Sequence, residues 1–422
     1  MVTIRKDQKD LIHNSNHNSR FVARESNFLP GYGGAWLVLA LALGSFTLNL
    51  GGQLMATEII LLIIAFILIF SDLRAVRSIP FFGLIQMSLL VGIGAYLASD
   101  LINDSSSVDL VKGASRWIFL WGAIISISYV FLKNRYAPEY AMLGLALAGL
   151  YGAWKGAAEE GWGWKFSLGE PFTALLLIVA TRLPRAFSVS LCLCLGLMNF
   201  FLDYRSLGGA CIICGAFAAV RGIRFHSPGF LMAGVMAVIL LLIGGYGYQK
   251  AILTDDTRLA RSVDSNEIRL TGASFGWEAI KLSPFVGHGT WASNRELLAL
   301  YVQMRQDSRQ ERGARITGEE SANEAVVGAI HSMILQAGAE AGLIAVGVFI
   351  IYIYIIAKAF WLSYRNSSRM LASEVLCIYI LTLALWALFS SPFAGFNRLL
   401  LALGLAAAAR LFFLAKTQQQ KR

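Results

Sequence analysis

Apolar runs long enough to cross a bilayer, or nearly so, recur along most of this chain, and no soluble fold can bury so many of them. A span needs roughly 20 mainly apolar residues, and about 17 can suffice. Runs of this kind lie near 34–51, 56–71, 80–98, 116–132, 139–154, 167–181, 186–202, 206–220, 229–246, 331–357, 372–391 and 397–415. Backbone in lipid must satisfy its own hydrogen bonds, so the spans are expected to be helices. The expected fold class is therefore an all-α integral membrane protein, with about 12 transmembrane helices and one large extracytoplasmic loop. Only 15% of residues are charged and 56% are hydrophobic, against about 25% charged in a soluble chain.

The sixth run is the weakest, because its apolar core, PFTALLLIVA, is short and Glu170 stands just before it. Charge placement tests it, since Lys and Arg near short loops concentrate on the cytoplasmic side. With the N-terminal tail (Arg5, Lys6, Lys9, Arg20, Arg24) inside, the inside connections carry Arg74 with Arg77, Lys133 with Arg135, Arg182 with Arg185, and Arg221 with Arg224. Lys358, Arg365 and Arg369 follow, and then Lys416, Lys421 and Arg422. The opposite loops, such as SDLINDSSSVD and AAEEGWGW, are acidic or neutral. Removing the sixth span would move the later basic loops outside. Twelve spans, both termini cytoplasmic, are the expectation. The net charge of +10 is then a matter of loop placement, and no nucleic-acid partner is implied.

The organisation that follows is a tail at 1–33, spans one to nine within 34–246, an extracytoplasmic loop at 247–330, spans ten to twelve within 331–415, and a tail at 416–422. The N-terminus is polar for over thirty residues, longer than the charged start of a cleaved signal, so the first span is expected to be retained. The five cysteines all fall in apolar runs. A thiolate is costly there, so the CIIC spacing reads as apolar filling rather than redox or metal chemistry.

Within the loop, EIRLTGASFGWEAI and RELLALYVQMRQ have helical periodicity, SPFVGHG between them is turn-rich, and RQDSRQERGARITGEESANE is polar and exposed. The loop is too small for an enzyme with its own core, and reads as a cap over a cavity in the bundle. The sequence contains no Walker loop, dinucleotide fingerprint, His-Glu-x-x-His helix or nucleophile elbow.

A few outer-face residues are of types that carry chemistry. Arg205, in FFLDYRSLGGA, is either an interfacial arginine paired with Asp203 or a fixed cation for an anionic head group. Arg269 is a solvated loop arginine or a second such cation. Arg116 and Lys112 stand at the outer end of the fourth span and extend the same basic rim. His331, where loop meets span in AIHSMILQAGAEAGLI, is a helix-start hydrogen-bonding group or a general base, and its ordinary pKa of about 6.5 suits the second role. Gln336 and Glu340 follow on the same helix. A carboxylate in an apolar run is costly alone, so Glu340 either pairs with an arginine on another helix or belongs to the site. Arginines can hold a lipid-linked diphosphate as a leaving group while a histidine takes the proton from a sugar hydroxyl. No acidic cluster suited to a metal is evident on the outer face, so no metal and no cofactor are expected.

At these residues the chain resembles the O-antigen ligase and O-antigen polymerase family of bacterial membrane glycosyltransferases. DYRSLGGA is similar to that family's arginine-led span before the large loop. IRLTGASFGWEAIKLSPFVGHGTW is similar to its loop segment, and HSMILQAGAEAGLIA to its His-Ser/Asn…Glu-x-Gly opening of the next span. The resemblance covers roughly 200–345. It implies a metal-independent, inverting transferase of GT-C-like fold in the bacterial inner membrane, acting on an undecaprenyl-diphosphate-linked oligosaccharide donor. Arg205 and Arg269 would hold the diphosphate and His331 would activate the acceptor, with Arg116, Glu340 and Gln336 beside the substrate. About forty residues separate the Gly-rich turn from His331, a longer insert than many members have, and closer to exopolysaccharide polymerases. The expected activity is joining of repeat units. One alternative is a ligase moving the glycan to a lipid A-core acceptor. Another is a flippase or transporter of the same lipid-linked sugar, which would need broken helices and charges along the midplane that the runs do not show.

The charge pattern predicts that a cysteine placed at Ser308 reacts with an impermeant maleimide in intact spheroplasts, while one at Ser367 is protected. Labelling at Ser367 with protection at Ser308 would reverse the orientation.

Overall fold

The computed structural model describes residues 33–49, 53–160, 164–221, 256–290, 295–310, 330–366 and 371–420, with single positions between 235 and 246. Most of the ninth run, the N-terminal tail through residue 32 and the charged stretch after Gln310 lie outside the described residues. The helices are α1 (Gly33–Ala42), α2 (Ala56–Ser71), α3 (Leu73–Arg77), α4 (Phe82–Ile102), α5 (Ser107–Lys133), α6 (Ala137–Glu160) and α7 (Gly169–Ala180). They continue as α8 (Arg185–Phe201), α9 (Arg205–Val220), α10 (Asp256–Leu282), α11 (Arg295–Gln310), α12 (Met333–Arg365), α13 (Ala372–Ser390) and α14 (Gly395–Gln420). Among the described residues the one sheet is a hairpin, Thr47–Asn49 against Gln53–Met55.

Five of these helices, α4, α5, α12, α13 and α14, are long and apolar enough to cross a membrane, and five shorter apolar helices accompany them. The chain is an all-α membrane protein. α5, α13 and α14 form its centre: 72%, 72% and 78% of their most apolar windows are buried, against 33% and 39% for α4 and α12. Small residues bring the central helices together, as at Gly404, which lies directly on Ala384. The five cysteines are free thiols, four of them buried.

Local structure departs from the apolar runs at three places. The first run does not continue as helix to residue 51. A 3₁₀ turn at Leu43–Ser45 ends it, and the hairpin follows, closed by Ala56 N–H donating to the Phe46 carbonyl at 2.8 Å. Ser45 and Thr57 hold this corner by donating to the carbonyls of Ala148 and Ala40. The sixth run forms a helix of only 12 residues, entered through a π-turn at Trp164–Leu168. At 1.5 Å per residue that helix is about 18 Å long, which explains its weak hydropathy signal.

The third departure shapes the rest of the molecule. α12 is broken inside the tenth run, at Ala341 (φ −137°) and Gly342 (φ 73°, ψ −172°), the second being a conformation essentially confined to glycine. The turn at residues 283–290 enters the break. Leu343 N–H donates to the Pro284 carbonyl at 2.7 Å, and the N–H groups of His288 and Gly289 donate to the carbonyls of Ala339 and Glu340 at 2.9 and 3.0 Å. The groups freed by the break thus find partners in the turn, as non-helical backbone in a bundle must. Gly287 has a positive φ of 76°, and a Cβ there would stand 2.5 Å from the Glu340 carbonyl, so both conformation and space require glycine.

Candidate functional site

Of the sequence-selected residues, Arg205, Arg269 and His331 are all half-buried. Arg205 is the first residue of α9, and its Nη2 donates to Asn266 Oδ1 of α10 at 3.3 Å. Arg269 stands one turn further along α10, its guanidinium 6.0 Å from the Trp386 ring of α13. His331 precedes Ser332, the N-cap of α12, whose hydroxyl accepts from Leu335 N–H and donates to the Leu388 carbonyl of α13 at 3.2 Å. Trp386 and Leu388 both lie within the last five residues of α13, so Arg269 and the residue after His331 reach one helix end, and Arg205 is joined to α10 through Asn266. That end carries the negative pole of the α13 dipole, which favours a nearby guanidinium. Beside Arg205, burial and then the neighbouring Glu170 carboxylate push the Tyr204 hydroxyl above its ordinary value, so it stays protonated as Glu170's hydrogen-bond partner.

Arg116, Glu340 and Gln336 form a separate and closed cluster. Glu340 is fully buried and Arg116 is 4% exposed. Arg116 Nη1 donates to both carboxylate oxygens, at 3.0 and 2.8 Å. The Tyr96 hydroxyl donates to Oε2 at 2.7 Å and Gln336 Nε2 to Oε1 at 3.2 Å. Gln336 in turn accepts from Phe393 N–H at 2.6 Å. The Glu340 carbonyl accepts from Ser99 Oγ and Gly289 N–H, and next to it Asp100 takes both the N–H and the hydroxyl of Thr290.

Arg116 is therefore not part of an open basic rim. A phosphate reaching it would have to displace Glu340. Of the two readings of Glu340, the structure has the interhelical pair. Lys112 lies 4.0 Å from Asp109 of its own helix, and Arg258 and Arg261 fall on α10 with side chains outside the described residues. His288 shares a hydrogen bond with the Ala279 carbonyl at 2.9 Å. Among the described residues no three His, Cys, Asp or Glu side chains are grouped as a metal would need.

Two further buried pairs escaped the sequence reading. Arg398 of α14 meets Glu58 of α2 at 2.7 Å, and Arg410 of α14 meets Glu374 of α13 at 2.5 Å. Arg410 also donates to the Phe131, Asn134 and Arg135 carbonyls, which caps the end of α5. The signal was present: each of these four residues is a charge inside an apolar run, and such charges must find each other. With Glu340–Arg116 they add buried ion pairs to the apolar runs, and α12 overturns the expectation that no span is broken.

No protein-family model matches the chain, and no curated protein matches it. The resemblance drawn above rests on its three motifs.

Removing one partner of a buried ion pair leaves an uncompensated charge, at about 3–5 kcal/mol, whereas an apolar replacement of both is often near neutral. Glu340→Leu and Arg116→Met should each lower the thermal midpoint in detergent strongly, and the double variant should recover most of the loss. Additive losses would contradict the pairing.

Proposed function

We propose that this chain is an inverting, metal-independent glycosyltransferase of the bacterial inner membrane. It acts at the outer leaflet on undecaprenyl-diphosphate-linked glycans and joins repeat units of an O-antigen or exopolysaccharide. The observation that supports this reading is a chain of contacts: Arg205 bonds to Asn266 of α10, Arg269 of the same helix faces Trp386 of α13, and Ser332, next to His331, bonds to Leu388 of α13. The basic-loop pattern supports an arrangement of twelve spans, with both termini cytoplasmic and residues 247–330 outside.

In this mechanism Arg205 and Arg269 bind the diphosphate oxygens and offset the negative charge that grows on them as the sugar C1–O bond breaks. His331 accepts the proton of the attacking hydroxyl while the new C1–O bond forms on the opposite face of the sugar, and undecaprenyl diphosphate leaves. The Glu340 cluster does not touch the reacting atoms. It fixes the start of α12, which His331 precedes, through Gln336 and Phe393. Transfer to the next lipid-linked repeat makes a polymerase, and transfer to lipid A-core makes a ligase.

One observation favours a second reading, a flippase or transporter of the same lipid. A broken helix beside a buried ion pair is a feature of transporter sites, and α12 has both. Here, however, the turn at 283–290 fills the break and Glu340 is fully hydrogen-bonded, which leaves no open ion site.

Proteoliposomes with purified lipid-linked repeats test both readings. Arg205→Ala and Arg269→Ala should abolish elongation in folded protein, and Arg→Lys should rescue poorly because an ammonium lacks the bidentate fork. His331→Ala should lower turnover by about 10²- to 10⁴-fold with donor binding little changed. A helix-start role predicts near-normal turnover and a loss of about 1 kcal/mol in stability, and that result would remove the base assignment. Movement of the lipid between leaflets without chain lengthening would establish the transporter reading instead.

A further inference from the structure

We infer that the C-terminal part of α10 is a membrane-surface anchor, lying against the head-group region of the bilayer. The inference depends on the chain being a membrane protein and is independent of the transferase reading.

One face of α10 is internal. Phe275 and Ala279 are fully buried and Ile280 nearly so, and Gly276 lies within a methyl group's reach of Leu335 and Ile330 at the start of α12. The opposite face carries Leu270 and Trp277, seven residues and so about two turns apart, exposed by 68% and 53%. Leu282 (66%), the last residue of α10, and Phe285 (72%), in the turn beyond it, are exposed as well, with Leu282 about a third of a turn around the helix from Leu270 and Trp277. Water does not explain a large aromatic or aliphatic group at each of these positions, and apolar groups exposed together at one end of a helix mark an interaction site.

The depth of this surface fixes its partner. Pro284 accepts the Leu343 N–H, which places Phe285 beside Leu343 and Ile344, outward residues of α12 that are 45% and 53% exposed. α12 has 33 residues and would run about 50 Å, well beyond a hydrocarbon thickness of about 30 Å. From Leu343 to Arg365 alone it runs about 33 Å, one bilayer core. The break therefore sits at the membrane boundary, and the apolar end of α10 is continuous there with the lipid-facing wall of α12. A tryptophan above a leucine and a phenylalanine is the order expected for a helix resting in the interface. Lys281, one turn after Trp277 and paired with Glu278 at 2.8 Å, has an aliphatic stem suited to the same boundary. Such an anchor holds Arg269 and the 283–290 turn at head-group level.

Nitroxide labels on single cysteines at Leu282 and Phe285, in the otherwise cysteine-free full chain, test this in phosphatidylcholine–phosphatidylglycerol vesicles. Collision with oxygen, which concentrates in the bilayer, is compared with collision with the water-soluble nickel ethylenediaminediacetate. Leu343 serves as the lipid-facing reference and Gln306, exposed on α11, as the second reference. Labels at 282 and 285 should give an oxygen-to-nickel ratio near that of Leu343 and several-fold above that of Gln306, with Trp277 between them. A ratio equal to that of Gln306 would mean that the surface faces water. Immobilised labels reached by neither reagent would mean that protein, a second copy or another partner, covers it. Either result overturns the anchor. If one of positions 282 and 285 does not tolerate the label, the other reads the same apolar end.

Discussion

An ionised carboxylate inside an apolar bundle must be paired and hydrogen-bonded, because removing each ion from water costs several kcal/mol. Glu340 meets that demand with Arg116, Tyr96 and Gln336, and much of the surrounding architecture is built around the pairing. Arg116 comes from α5, Tyr96 from α4 and Gln336 from α12 itself, so one side chain ties three helices. Its backbone carbonyl is equally occupied, by Ser99 and Gly289, and this draws the 283–290 turn into the break of α12. The turn ends α10, so the position of Arg269 is linked to the same carboxylate. Two more pairs, Glu58–Arg398 and Glu374–Arg410, tie α14 to α2 and α13 by the same physics.

Hydropathy made the helices legible wherever the run was long. α4, α5, α13 and α14 stand where the apolar runs put them, and the amphipathic segments at 267–280 and 295–306 are helical, with a turn at SPFVGHG between them. Glu340's need for an arginine was also legible from cost alone. Its partner was not: Arg116 lies 224 positions away, and its place near a span end made it look like a rim residue. The hairpin that ends the first run was hidden because Leu48 and Leu54 keep the stretch apolar. The break at Gly342 was hidden because one glycine among 40 carries no mark of its φ. It becomes necessary only once the Phe285 carbonyl is seen to occupy the space of a Cβ.

The candidate site shows the same division. Arginines and a histidine at span ends were visible as unusual residues, each with an ordinary explanation of its own. The contacts that link their neighbourhoods run through Asn266, Trp386 and Ser332, none of which draws notice as a letter in the sequence. The structure also divides the sequence-selected residues into a half-buried trio and a buried cluster around Glu340. Under the proposed function, binding and proton transfer fall to the trio and positioning to the cluster.

The central claim is that α9, α10 and the end of α13 meet around one site, and short-range cross-linking tests it most directly. Cysteines replacing Arg205 and Asn266 in an otherwise cysteine-free chain, with a protease site inserted near residue 226, would be treated in native membranes with a short bismaleimide and then cleaved. The account predicts that the two fragments stay covalently joined. Fragments that separate although both cysteines have reacted with the reagent would contradict it.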